Sequence, residues 1–82
     1  MSQHSANNTL LPGLYRHYKG HDYQVIDTAT HSEDESLYVI YRPLYGEGKL
    51  WIRPFSMFTE TVLVDGKQIP RFAYVGPMGE SA

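Results

Sequence analysis

The segment Leu-Tyr-Val-Ile-Tyr-Arg-Pro-Leu at residues 37–44 constrains the fold more than any other part of the chain. Over its first half it is apolar or aromatic on both faces, because neighbouring side chains of a strand point to opposite sides. A strand of this kind lies inside a sheet and not at its edge. Pro43 has no N–H group to donate, so the pairing should weaken near that end. The sequence therefore predicts a sheet built around this central strand.

Further segments with the composition of short strands lie on both sides of the central strand. They are residues 14–18, 23–30, 50–53, 61–64 and 69–75. The apolar phase shifts between Val25 and Ile26, which predicts a bulge or a strong bend near Asp27. Asp65-Gly66 is a strong hairpin signal between apolar segments. The four residues 55–58 are too few for an independent helix and predict a single helical turn.

Five to six short strands with one short helical turn predict an all-β fold. A small, partly open SH3-like (Tudor-like) barrel is the closest template. An OB-like barrel is the alternative, although residues 30–37 leave no room for its customary helix. A chain of 82 residues forms one domain near the lower size limit for independent folding. We expect a polar tail at residues 1–9, a single domain at residues 10–76 and a C-terminal tail at residues 77–82.

Composition limits the classes of function. The chain has no cysteine, so it cannot form a disulfide or a thiolate metal site, and this favours a reducing cytoplasm. No apolar segment approaches the roughly 20 residues that a membrane-spanning helix requires, so no membrane partner is expected. The formal net charge of −2 makes a generic nucleic-acid binder less favoured. We predict no cofactor. The chain could be a monomer, or it could form a homodimer in which exposed edge strands pair with each other.

One set of residues combines flat rings with cationic groups. It consists of Arg16, His17, Tyr45, Trp51, Arg53 and Arg71. Rings provide stacking area, and arginine can bind a carboxylate or phosphate through two parallel hydrogen bonds. The set therefore predicts a ligand-binding surface. The alternative is that the cationic side chains pack over rings as ordinary surface contacts.

Other chemistries have weaker support in the sequence. His17, His21, His31 and Glu33 are residue types of metal sites, but their spacing matches no helical ligand motif, so no metal is predicted. No Gly-x-Ser-x-Gly elbow is present, and adjacent strand residues such as His31 and Ser32 point apart. We therefore predict no catalytic residue. A His31/Glu33 acid–base pair is the alternative if both groups share a cleft.

The order of these residues resembles a known family. The main carriers of the resemblance are Gly13, Tyr15, His17-Tyr18-Lys19-Gly20, His31-Ser32-Glu33, Leu44-Tyr45-Gly46, Trp51, Arg53-Pro54, Asp65-Gly66 and Pro70-Arg71-Phe72. This pattern resembles the small bacterial proteins known as domain of unknown function 1653. The chain departs from the pattern at Asp34, where the family often has threonine. The resemblance implies a cytoplasmic bacterial β-barrel domain, and it implies no activity, so it assigns no catalytic residue.

The sequence thus favours a non-enzymatic binding or interaction module for a peptide or a small anionic ligand. Its partner would be an unknown protein or small molecule that contacts the arginine and aromatic surface. RNA or single-stranded nucleic acid is an alternative ligand, which would require a contiguous positive face with exposed rings. An enzyme with a His/Glu acid–base pair is a further alternative.

Overall fold

The computed structural model describes residues 10–78, which form seven strands and one short helix. In chain order these are β1 (Gly13–His17), β2 (Asp22–Thr30), β3 (Leu37–Pro43), β4 (Trp51–Pro54), α1 (Phe55–Phe58), β5 (Thr61–Val64), β6 (Lys67–Pro70) and β7 (Phe72–Gly76). The predicted tail at residues 1–9 and the end of the other tail, residues 79–82, lie outside the described residues. Between residues 10 and 78 no helix is long and apolar enough to cross a membrane.

Five strands form one antiparallel sheet in the order β4-β3-β2-β1-β7, and β5 pairs with β6 as a separate hairpin. The all-β prediction with one short helical turn is confirmed. The central position of β3 is also confirmed, because it lies between β2 and β4. Within the described part of the chain, the edge strands β4 and β7 do not pair with each other. The sheet is therefore open, and no closed barrel is formed.

The predicted single strand at residues 69–75 is wrong, because Arg71 divides it into β6 and β7. The backbone N–H of Arg71 donates to the carbonyl of Glu60 at 3.0 Å, while its carbonyl accepts from the N–H of Tyr18 at 2.9 Å. Arg71 is therefore bonded to the start of the hairpin on one side and to the end of β1 on the other. The chain leaves one sheet and enters the other at this residue, which raises the strand count from the predicted five or six to seven.

A bulge in β2 lies where the sequence predicts it. Val25 pairs with Tyr41, but the next pair joins Asp27 to Ile40, so one residue of β2 has no partner in β3. An extra residue of this kind bends the strand and increases its twist. The bulge therefore bends the long strand β2 directly after its two buried residues, Tyr23 and Val25.

Aromatic side chains dominate the core, which lies on one face of the five-stranded sheet. We call this the inner face. Its buried residues are Tyr15, Tyr23, Val25, Val39, Tyr41 and Phe72, and Phe58 of α1 completes the cluster. Phe58 is 1% exposed and stacks on Phe72 with 4.0 Å between ring centroids. Its ring also meets Tyr15 and Tyr41 edge to face, at 5.7 and 5.2 Å. One helical turn thus closes the centre of the inner face.

The start of β1 passes close to the end of β7. Gly13 has a φ of +142°, and a Cβ atom at this position would lie 2.5 Å from the carbonyl oxygen of Gly76. The turn residue Gly20 also has a positive φ, +107°, but a Cβ atom there would meet nothing within 4 Å. Gly13 is therefore required by close backbone approach as well as by conformation, whereas Gly20 is required by conformation alone.

We expect Phe58→Ala to reduce the free energy of unfolding by about 3–5 kcal/mol, because it leaves a cavity among the packed rings. Urea denaturation followed by circular dichroism measures this loss. Met57→Ala is the matched control, since Met57 is 46% exposed in the same helical turn and its truncation should change stability by about 0.5 kcal/mol or less. If Phe58→Ala does not fold, Phe58→Leu should retain the fold with a smaller loss. Equal effects at the two positions would contradict this account of the core.

Gly13→Ala should destabilise the protein more than Gly20→Ala does. Both substitutions force a side chain into a positive-φ backbone, which costs about 1–3 kcal/mol. Gly13→Ala adds the collision with Gly76. Thermal unfolding of the two variants side by side tests this order. A Gly20→Ala variant that is the less stable of the two would show that the approach of β1 to β7 is not tight.

Candidate functional site

The strand register brings three predicted site residues to the inner face. Residues directly opposite each other in an antiparallel pair share a face of the sheet. Trp51 of β4 pairs with the buried Tyr41, and Arg53 pairs with the buried Val39. In the same way His17 of β1 pairs with Phe72 of β7. These three side chains therefore surround the aromatic core instead of lying on separate surfaces.

The Arg53 side chain is held by two aromatic residues. Its Nε donates to the Tyr41 hydroxyl at 3.1 Å, and its guanidinium carbon lies 5.7 Å from the centroid of the Phe72 ring. Among residues 10–78, Arg53 forms no ion pair with a carboxylate. The guanidinium is half-buried, so water screens its charge less than on an open surface. Its charge is therefore available to a ligand that lies against this face.

The imidazole of His17 packs against the ring of Phe72, which Arg53 also contacts. The two ring centroids lie 4.9 Å apart, and Nδ1 of His17 accepts the backbone N–H of Lys19 at 3.1 Å. An accepting Nδ1 places the proton of the neutral ring on Nε2. Burial lowers the pKa of His17, and the positive charges of Arg71, Lys19, Arg53 and His21 lower it further. Several cationic groups therefore act on one point of the inner face.

Arg71 approaches the same region but is already paired. Both its Nε, at 2.9 Å, and its terminal NH2 donate to one carboxylate oxygen of Glu60. The two side chains are 26% and 39% exposed, so the pair lies at the border of the core. Glu60 also accepts the backbone N–H of Arg71 through its own carbonyl. Arg71 therefore adds positive potential to the site while its own hydrogen bonds serve the corner between β6 and β7.

Tyr45 and Trp51 supply the exposed rings of the site. Each is 43% exposed, and together with Pro43, Gly46 and Gly48 they line a cavity of about 220 Å³. The Tyr45 hydroxyl shares a hydrogen bond of 2.9 Å with the hydroxyl of Tyr23.

Burial is the largest cause that raises the pKa of Tyr23 to about 12, and its hydrogen bond to Tyr45 adds to it. Tyr23 is therefore neutral at physiological pH, and its hydroxyl holds the hydroxyl of Tyr45 through their shared hydrogen bond.

Arg16 is the one predicted residue that the structure does not bring to the inner face. It alternates with the buried Tyr15 along β1, so its side chain lies on the opposite, outer face of the sheet. There its Nε donates to Asp22 at 2.7 Å, and this bond lowers the pKa of the carboxylate. The other five residues, His17, Tyr45, Trp51, Arg53 and Arg71, surround one region, which we call the inner-face site.

Sequence reasoning missed the residues that form the floor of this site. Tyr23, Tyr41 and Phe72 provide the hydroxyl and ring contacts that position the exposed groups. The alternation of Tyr41 with Val39 in the central strand was a usable signal, because it placed both on one face. No local pattern points to Glu60 as the partner of Arg71, since the two residues meet only through the hairpin between them.

The other constellations remain separate from the inner-face site. His31 and Glu33 lie in the exposed loop between β2 and β3, where the Glu33 backbone N–H donates to Nδ1 of His31 at 3.1 Å. The carboxylate that approaches His31 is that of Asp34, at 3.5 Å. In the described part of the chain, no group of three or more His, Asp or Glu side chains is placed to hold a metal ion.

We expect the imidazole of His17 to titrate below its ordinary pKa of 6.5, and Arg71→Gln to move that pKa upward by removing a positive charge. Histidine NMR shifts recorded against pH measure both values. Lys67→Gln is the control, because Lys67 is not among the charges that act on His17. Because the pKa of His17 is lower in the folded than in the unfolded protein, the free energy of unfolding rises with pH. The contribution of His17 is complete above pH 6.5 and is lost as the pH falls through the folded pKa. An unchanged His17 pKa in Arg71→Gln would show that this charge does not reach the site.

Comparison with known proteins identifies the family. The sequence model described as a protein of unknown function (DUF1653) matches residues 13–74. A crystal structure of a DUF1653 protein from Bordetella bronchiseptica is 36% identical in sequence and superposes with a TM-score of 0.76. The match covers 87% of this chain and 94% of that one. None of the curated proteins matches the chain. The resemblance predicted from the residue pattern is confirmed, and the chain belongs to the DUF1653 family.

Proposed function

We propose that this protein is a non-enzymatic binding module whose inner-face site takes a small anionic ligand or an acidic side chain of a peptide. The observation that carries the proposal is Arg53, a half-buried guanidinium without an ion-pair partner among residues 10–78. Water screens a half-buried charge less than an exposed one, so a group of opposite charge is attracted to it more strongly. A carboxylate or phosphate from a ligand would supply the missing partner.

The charges around Arg53 support an anion over a cation. Exposed rings next to a core can also hold a cationic group through their faces. In this protein, however, Arg53 already occupies the face of Phe72, and His17 lies on the same ring. Arg71 and Lys19 add positive potential at His17. A cationic ligand would therefore meet the like charge of Arg53, whereas an anion would be attracted by it. Arg71 contributes less, because Glu60 already pairs with it.

The hydrogen-bond donors near Arg53 support the same conclusion. The Nε of Arg53 is used by Tyr41, which leaves its terminal NH2 groups without a hydrogen-bond acceptor within residues 10–78. Nδ1 of His17 accepts from Lys19, so the neutral ring presents its Nε2–H group as a donor. Donors from two different strands converge on one ring. Hydrogen bonds to a charged ligand are worth about 1.5–3 kcal/mol each.

We also propose that the fold is an open relative of the SH3-like barrel with an inserted hairpin. In SH3-like barrels the last strand pairs with the first, and a helical turn precedes the last strand. Here β7 pairs with β1, and α1 follows β4 in the same manner. The hairpin of β5 and β6 is the addition. The inner-face site then lies where the loop after β3, the edge strand β4 and the end of β1 come together, a place open to a ligand.

We expect Arg53→Gln to weaken anion binding about tenfold, because it removes one charged hydrogen-bond donor worth at least about 1.4 kcal/mol. Inorganic phosphate and a blocked glutamate dipeptide are the probes, added to labelled protein while amide NMR shifts are recorded. In the unmodified protein the shift changes should centre on His17, Trp51 and Arg53.

Arg16→Gln is the matched control. It removes the same charge from the outer face, where Asp22 already neutralises it, so binding should not change. Thermal unfolding of both variants checks that the fold is retained. Equal weakening by the two substitutions would show that only the overall charge matters and would contradict a site on the inner face.

A further inference from the structure

We propose that the ligand of the inner-face site carries a nucleobase and a phosphate, with the base held between Tyr45 and Trp51 and the phosphate bound at Arg53 and His17. This inference rests on the proposed function and adds the chemical class of the ligand. A free nucleotide and one nucleotide of a single strand share this chemistry.

The cavity beside Tyr45 and Trp51 has the size and lining of a slot for one flat ring system. Its volume of about 220 Å³ is below the roughly 300–1,000 Å³ of pockets that enclose a whole drug-sized ligand. It therefore admits one part of a ligand, not all of it. Pro43 and two exposed rings provide apolar surface, while Gly46 and Gly48 add no side chains that would fill the space.

Tyr45 and Trp51 are far more exposed than the core rings next to them. Tyr74, opposite Tyr15, is equally exposed but does not line this cavity. Tyr15, Tyr41 and Phe72 are 2–6% exposed, whereas Tyr45 and Trp51 are both 43% exposed. Every base has a π face, and stacking on aromatic side chains is the sequence-tolerant way to bind it. Two exposed rings on the walls of one small cavity match that mode of binding.

The rim of the cavity provides polar groups for the edge of a base. The Glu47 carboxylate lies there and forms an exposed ion pair of 3.4 Å with Lys49. A carboxylate accepts the exocyclic N–H groups of bases, and an ammonium donates to their carbonyl groups. In the proposed complex Glu47 and Lys49 pair with the edge of the base, while Tyr45 and Trp51 cover its faces.

The distance between the slot and Arg53 fits a sugar. Trp51 and Arg53 are two residues apart on the same side of β4, which separates them by about 7 Å. The Tyr41 ring links them, since it lies 6.0 Å from the Trp51 ring and its hydroxyl accepts from Arg53. A group attached to a stacked base through one sugar would reach Arg53. An isolated phosphate would contact Arg53 but leave the slot empty.

The experiment uses the fluorescence of Trp51, which is the single tryptophan of the chain and lies on the cavity wall. The probes are AMP, UMP, adenosine, inorganic phosphate and a short single-stranded oligouridylate. We expect each nucleotide to quench Trp51 and to bind at least tenfold more tightly than adenosine or phosphate alone. Tighter binding by the oligomer than by UMP would identify a single strand as the source of the nucleotide, and equal binding would identify the free nucleotide.

Two substitutions separate the halves of the site. Tyr45→Leu should weaken nucleotide binding at least fivefold through lost stacking but leave phosphate binding unchanged. Arg53→Gln should weaken both. If Tyr45→Leu does not fold, Trp51→Leu monitored by amide NMR tests the same ring contribution from the other wall.

The failures of this inference and of the proposed function are distinguishable. If phosphate binds and a base adds no affinity, the site binds anions but the nucleotide proposal is overturned. If an acidic, proline-containing peptide shifts the same residues and no nucleotide does, the slot takes a peptide ring, which also overturns it. If neither phosphate nor the glutamate dipeptide nor any nucleotide binds, the proposed function itself is wrong.

Discussion

The stacking of Phe58 on Phe72 is the interaction on which the rest of the structure depends. A five-stranded sheet with a core on one face must cover that face, and an 82-residue chain has little material with which to do so. Phe58 covers the centre of that face with a ring that contacts Phe72 face to face and Tyr15 and Tyr41 edge to face, and Leu10 and Phe55 also pack against the core. Aromatic rings bury more area for each ordered residue than aliphatic side chains do. One helical turn is therefore sufficient to cover the centre of the inner face.

The same packing determines the chemistry at the border of the core. Phe58 covers one side of Phe72, and the guanidinium of Arg53 and the imidazole of His17 lie 5.7 and 4.9 Å from the centroid of that ring. Tyr41 both contributes to the core and accepts a hydrogen bond from Arg53. The inner-face site is therefore not a separate addition to the fold. It consists of the part of the aromatic core that α1 does not reach, together with the basic groups that border it.

Local patterns predicted the strands well where neighbouring residues alone determine the structure. The central segment, the bulge near Asp27 and the Asp65-Gly66 hairpin all depend on the character of neighbouring residues, and all were predicted. The break at Arg71 was not predicted, because residues 69–75 alternate continuously and the break arises from distant bonds to Glu60 and Tyr18. For the same reason the sequence suggested a surface of six residues, but only the packing of the folded chain could show that five of them surround one region.

Arg16 and Arg53, two of the three arginines in the described strands, show how register decides whether a charge has a partner within the sheet. Each lies on a strand of the same sheet, and composition alone treats them alike. Arg16 pairs in register with Asp22, whose carboxylate accepts two hydrogen bonds from it. Arg53 pairs in register with Val39, which can neutralise nothing. The outer face is therefore electrically balanced at this point, whereas the inner face retains a half-buried positive charge beside exposed rings. Because no carboxylate of residues 10–78 neutralises that charge, the free energy of pairing it remains for the ligand that we propose for this site.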